Sequence, residues 1–140
     1  MKAIRPEALT GAVLSLPGAR AGMAAFVRLE ALLRELPVDQ VWGPTGSVGF
    51  ELATGIPVVK PGSDLDIIVR ARSPISRSQA RTLLSFFPES TCRCDVSLDT
   101  PNGGVSLLEW ARGDNKVLLK TDSGPRLVTD PWHYIEGSNP

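Results

Sequence analysis

Asp64 and Asp66 stand one residue apart in Asp64-Leu65-Asp66, a Gly46-Ser47 turn precedes them, and a third aspartate, Asp95, follows. On a strand, alternate side chains point the same way and lie roughly 6.6 Å apart, so both carboxylates of the pair can reach one pair of hard cations. Nucleotidyl transfer uses such a site, because two divalent ions about 3.5–4 Å apart stabilise the attacking and leaving oxygens together. Asp95 completes the set if its strand lies beside that of the pair, where it can ligate the catalytic ion and take the proton from an attacking hydroxyl. Three crowded carboxylates repel one another unless cations are present, so the arrangement predicts marked stabilisation by magnesium. At Gly46-Ser47 the glycine lets backbone approach a ligand, and the helix start that follows offers unpaired N–H groups to phosphate oxygens. Lys120 and Arg126 flank a later turn and are candidates to meet a polyphosphate. Each feature also has a plainer reading. A Gly-Ser pair is a common helix cap, Asp-x-Asp a common solvated strand edge, Asp95 a solvent-facing strand residue, and hairpin cations are commonly just hydrated.

The elements that must position these residues follow from periodicity. Between Ala21 and Leu36, Phe26, Leu29, Leu32, Leu33 and Leu36 gather on one side of a helical wheel, which predicts a core-facing helix ended by Pro37. Val38 to Gly43 reads as a short strand, Pro44-Thr45-Gly46-Ser47 as a tight turn, and Val48 to Thr54 as a brief helix closed by Gly55. Ile56 to Lys60 is expected to be extended. Pro61-Gly62 turns, and Ser63 opens a strand from Asp64 to Val69 with Leu65 and Ile67 facing the core. Ser76 and Gln79 form a capping box for a crossover helix within Pro74 to Phe87, stopped by Pro88. Thr91 to Asp99 alternates, with Cys92, Cys94, Val96 and Leu98 on one face and Arg93, Asp95, Ser97 and Asp99 on the other. After Asn102-Gly103-Gly104, an amphipathic segment from Val105 to Arg112 precedes two strands, Lys116 to Thr121 and Pro125 to Thr129, joined through Asp122-Ser123-Gly124. The end from Pro131 is expected to be loose, and His133 to be structural.

A chain of 140 residues buries one core, which predicts a single domain. Its 15 basic and 15 acidic residues cancel, which argues against a nucleic-acid partner held by phosphate neutralisation. No apolar stretch approaches the ~18 residues needed to span a bilayer, and no signal-length run opens the chain. A cytoplasmic protein without a membrane partner is expected. Cys92 and Cys94, at i and i+2 of a strand, are poorly placed for a disulfide and are expected as reduced thiols.

Two long stretches extend the short motifs: Trp42-Gly43-Pro44-Thr45-Gly46-Ser47-Val48-Gly49-Phe50-Glu51-Leu52-Ala53-Thr54-Gly55, then Ser63-Asp64-Leu65-Asp66. With Asp95-Val96-Ser97-Leu98-Asp99-Thr100-Pro101, Glu109-Trp110-Ala111-Arg112-Gly113 and Gly124-Pro125-Arg126-Leu127-Val128-Thr129-Asp130-Pro131-Trp132, they resemble the phosphoribosyl-dephospho-CoA transferases of malonate decarboxylase systems, also called malonate decarboxylase holo-acyl-carrier-protein synthases. The resemblance covers roughly Pro37 to Trp132. It implies an α+β, polymerase-β-like nucleotidyltransferase fold, a mixed sheet flanked by helices. It also implies transfer of the prosthetic group from triphosphoribosyl-dephospho-CoA to a serine of the apo acyl-carrier subunit, with release of pyrophosphate. Carried over by position, Asp64 and Asp66 hold two magnesium ions, Asp95 ligates the catalytic ion and acts as base, and Gly46 and Ser47 bind the triphosphate. The resemblance implies one nucleotidyltransferase domain over 1–140, with its core at about 37–132. Members of the family carry a separate region ahead of the catalytic domain, so the helical segment 1–36 is expected to be a shortened version of it. Two other readings stay open: a small nucleotidyltransferase that uses ATP on a protein or small molecule, and a non-catalytic, carrier-binding remnant.

Overall fold

The apolar alternation that begins at Leu65 becomes the centre of a sheet. The computed structural model describes residues 11–13, 16–36, 41–88 and 92–134. In it, strands β1 (Trp42–Thr45), β2 (Leu65–Arg70), β3 (Cys94–Thr100), β4 (Gly103–Ser106), β5 (Val117–Thr121) and β6 (Gly124–Val128) form a six-stranded sheet in that spatial order. β2 and β3 are parallel, and the other neighbouring pairs are antiparallel. Helices α1 (Gly18–Ala21), α2 (Ala24–Glu35), α3 (Gly46–Thr54), α4 (Arg77–Leu84) and α5 (Leu107–Arg112) complete an α+β architecture around the mixed sheet.

One face of the sheet builds the core. Leu65, Ile67 and Val69 of β2, Val96 and Leu98 of β3, and Trp42 of β1 are buried in one cluster with Phe26, Leu29 and Leu32 of α2. Each such side chain contributes roughly 1.5–3 kcal/mol by leaving water. Helix α2 begins later than its apolar stripe suggests, because the chain turns through Gly22 and Met23 is extended, with ψ 141°. It ends at Glu35, where Leu36 is extended at ψ 144°, the conformation that a following proline imposes.

Helix α4 is the crossover between the parallel strands. Its capping box is complete: Gln79 N–H donates to Ser76 Oγ at 3.0 Å, and Ser76 N–H donates to Gln79 Oε1 at 2.8 Å. Ala80 and Leu83 are buried, and Leu84 and Phe87 pack partly buried against the core. The hairpin of β5 and β6 is also as expected, in register from Val117 opposite Val128 to Thr121 opposite Gly124.

Several expectations need correction. Pro44-Thr45 belongs to β1, and the turn is compressed into Gly46 itself, the first residue of α3; Val38 to Gln40, the start of the expected strand, lie outside the described residues. The stretch from Ile56 to Lys60 joins no strand. Its Val58 and Val59 N–H groups instead donate to the Glu51 carboxylate at 2.9 and 3.0 Å. The segment from Val105 to Arg112 is divided, because Gly103 to Ser106 form β4 before α5 begins. Glycines hide that strand in the sequence, yet a Cβ at Gly103 would overlap the Lys120 carbonyl oxygen of β5, a close strand approach that requires glycine. Finally, the described part of the C-terminal end is anchored. Pro131–His133 make a 3-10 turn, Trp132 Nε1 donates to Ala71 O at 2.7 Å, and its ring meets Trp110 edge-on at 5.3 Å. His133 pairs with Asp130 Oδ2 at 2.6 Å on the surface, a structural contact.

Candidate active site

Strand register builds the site. Thr45 pairs with Asp66 across β1 and β2, and Asp66 pairs with Asp95 across β2 and β3. Paired residues on adjacent strands project from the same face, so Thr45, Asp66 and Asp95 form one row. That face lies opposite Leu65, Ile67 and Val69, which hold β2 to the core. Asp64 stands two residues before Asp66, one residue ahead of the ladder, where Leu65 N–H already donates to Arg93 O at 2.8 Å. Asp64 and Asp95 are exposed, and Asp66 is half-buried. Arg93 pairs with Asp95 at 3.2 Å, also on the surface.

The β1–α3 junction closes the row from the side. Gly46 has φ +61°, and a Cβ there would lie 2.5 Å from Asp66 Oδ2. A larger residue there would force the Asp66 carboxylate to move. Ser47 follows in the first turn of α3, and Gly49 lets the helix lie against β1, since a Cβ there would come within 2.6 Å of Pro44 O. At its far end α3 is fastened by Glu51, which is 3 % exposed. Arg20 embraces that carboxylate with Nε at 2.6 Å from Oε2 and with Nη2 on Oε1, and also donates to Val59 O at 2.9 Å. This pair, first of all the Arg20 hydrogen bonds and then the two backbone donors, holds the Glu51 carboxyl down at about 2.

The electrostatics of the row suit a cation. Burial, first, and then the charges of Asp95 and Asp64 push the Asp66 carboxyl above its ordinary range, with Arg93 opposing them. Among the described residues no three His, Cys, Asp or Glu side chains already converge as an ion cage. The donor set is nevertheless all oxygen and shares one face, which fits a hard divalent ion.

The basic candidates fall elsewhere. Lys120 shares the Asp66 face, because it lies opposite Gly104, which lies opposite Asp99. That places it two strands across and four residues along from Asp95, roughly 16 Å away by strand geometry. Arg126 pairs with the buried Leu119 and so projects from the core-side face, away from the carboxylates. The structure thus groups Gly46, Ser47, Asp64, Asp66 and Asp95, leaves Lys120 at a distance, and separates Arg126. Cys92 and Cys94 form no disulfide, and burial raises Cys94 to about 11. Sequence reasoning missed Thr45 and the Arg20–Glu51 pair. A lone charge among Val48, Gly49, Phe50 and Leu52 was the available signal for Glu51.

Comparison with known proteins identifies the family. Residues 13–131 match the family model described as phosphoribosyl-dephospho-CoA transferase MdcG C-terminal domain. A phosphoribosyl-dephospho-CoA transferase of Pseudomonas putida is 50% identical over 119 residues, covering 82% of this chain and 58% of the relative. One from Pseudomonas putida strain W619 is 45% identical over 137 residues, covering 95% and 63%. One from Azotobacter vinelandii is 42% identical over 139 residues, covering 94% and 63%. The chain therefore spans about three fifths of the length of these relatives. No solved structure matches it.

Proposed function

The chain belongs to the family of the phosphoribosyl-dephospho-CoA transferase MdcG C-terminal domain, and from that membership we propose that it attaches a phosphoribosyl-dephospho-CoA group to the acyl-carrier subunit of malonate decarboxylase. The donor is triphosphoribosyl-dephospho-CoA. A carrier serine Oγ attacks the α-phosphorus, a new P–O bond forms, the α–β anhydride bond breaks, and pyrophosphate leaves with the electron pair. Asp95 takes the serine proton or passes it to water. The fold is that of a polymerase-β-like nucleotidyltransferase. The observation that carries this reading is the Thr45, Asp66 and Asp95 row with Gly46 pressed against Asp66.

Asp64, Asp66 and Asp95 would hold two magnesium ions, which when bound stabilise the attacking and leaving oxygens. The chain's own residues do the remaining work. Gly46 and Ser47 bring the N–H groups at the start of α3 to the triphosphate, where the helix dipole favours negative charge. The Arg20–Glu51 pair fixes α3, and thereby that turn, against the Val58–Val59 segment. No described helix is long and apolar enough to cross a membrane.

The test is the intact mass of the apo carrier after incubation with this chain, magnesium and the donor, with ATP in a parallel tube. A donor-dependent gain of one phosphoribosyl-dephospho-CoA unit, lost in Asp66→Asn, is the expected result. An adenylyl gain seen with ATP alone would replace this reading by an ATP-dependent transferase.

A further inference from the structure

Four residues along β2 from Asp66, at the end of the strand, Arg70 borders a cavity of about 330 Å³ between the 71–75 segment and α4, also lined by Ala71, Arg72, Ile75, Gln79 and Leu83. This is a volume typical of small-ligand sites. Arg70 Nε is buried and has no hydrogen-bond partner among the described residues. A buried donor of a charged group is costly unless an acceptor arrives, so the position suits an anion that comes from outside the chain. Arg72 reaches the Asp99 carboxylate only at 3.9 Å, at the limit of an ion pair. Asp99 itself lies opposite Arg70 in the β2–β3 register, and the same row continues through Gly104 to Lys120. Arg70, Arg72 and Lys120 outweigh that one carboxylate. The end of β2 is therefore positive where its start is negative.

We infer that this cavity takes a second phosphate-bearing group of the donor, a diphosphate ester, with Arg70 and Arg72 as the anion-binding side chains. The inference rests on the transferase reading, because dephospho-CoA carries a diphosphate between its adenosine ribose and its pantetheine arm. The two sites are separated by four residues of strand, roughly 13 Å. Two ribose rings stand between the reacting phosphorus and that diphosphate in the donor, a separation of the same order. Guanidinium groups match such oxygens in planar, paired hydrogen bonds, which lysine does not do.

The experiment is calorimetric titration of the chain with dephospho-CoA in EDTA, which silences any metal-dependent contribution from the carboxylate row. Inorganic pyrophosphate is titrated separately as the simplest diphosphate. Arg70→Met and Arg72→Gln should each weaken dephospho-CoA binding roughly tenfold or more, the size of one charge-assisted hydrogen bond. Asp66→Asn, which abolishes carrier modification, should retain it. Arg70→Met should also unfold no earlier than the parent chain, since it removes an unpaired buried donor. Parent-like binding in both arginine variants would overturn the inference and leave the transferase reading standing. Arginine-dependent binding of pyrophosphate with no binding of dephospho-CoA by the parent chain would overturn both.

Discussion

Two glycines in left-handed backbone bracket α3, and replacing each by alanine separates backbone strain from site geometry. Gly46 has φ +61° and Gly55 has φ +76°, so an alanine at either position costs about 1–2 kcal/mol for that conformation. A Cβ at Gly55 meets nothing within 4 Å, whereas one at Gly46 lies 2.5 Å from Asp66 Oδ2 and 3.4 Å from its Cγ. The first contact is roughly an ångström shorter than van der Waals separation, so Asp66 must leave its rotamer, at a further cost of about 0.5–1.5 kcal/mol. Urea unfolding should therefore show losses of about 1–2 kcal/mol for Gly55→Ala and about 1.5–3.5 kcal/mol for Gly46→Ala. Activity should diverge far more, because an ångström of misplacement in a catalytic group costs on the order of a hundredfold. Initial rates of carrier modification are expected to be parent-like in Gly55→Ala and about a hundredfold lower in Gly46→Ala. Equal rates in the two variants would refute the argument that Gly46 is kept small by the Asp66 carboxylate.

Asp66→Asn should unfold at the same or a higher temperature than the parent chain in EDTA at neutral pH. The raised Asp66 carboxyl means that its stability contribution falls as pH rises from the ordinary carboxylate range through the folded-state value, so removing the charge relieves that cost; a large drop in melting temperature would contradict it. Magnesium should raise the melting temperature of the parent chain and not that of Asp64→Ala, followed by thermal unfolding with and without the ion. Glu51 is the opposite case: its carboxyl is held at about 2, so the stability it supplies is present above the ordinary 4.5 and is lost as pH falls between those values. Glu51→Gln should flatten the melting-temperature profile across that window, and Glu51→Ala should lower the urea midpoint, because the Val58 and Val59 N–H groups and Arg20 lose their acceptor. Trp132→Phe keeps an aromatic ring against Trp110 and loses the hydrogen bond to Ala71 O, so thermal unfolding should report a loss of about 1 kcal/mol.

What the sequence by itself determined about this protein is local. The period-2 alternation around Asp64-Leu65-Asp66 sets which side chains face the core, because one face of that strand has to be buried. The Ser76–Gln79 capping box and the Asp122-Ser123-Gly124 turn are likewise satisfied within a few residues of chain, and both are found where their motifs stand. The tertiary structure alone decided what depends on pairing between distant segments. The parallel β2–β3 register brings Asp66 level with Asp95, and no local signal distinguishes that register from one shifted by two residues. Parity along β6 sends Arg126 to the core side while Lys120 on β5 keeps the carboxylate face, since a single residue of offset reverses every side chain. Strand β4 was hidden because glycine weakens the strand signal at the position where strand contact demands it. Arg20 and Glu51 are 31 residues apart and become partners only because packing buries the Glu51 carboxylate, where an unpaired charge would be too costly to keep.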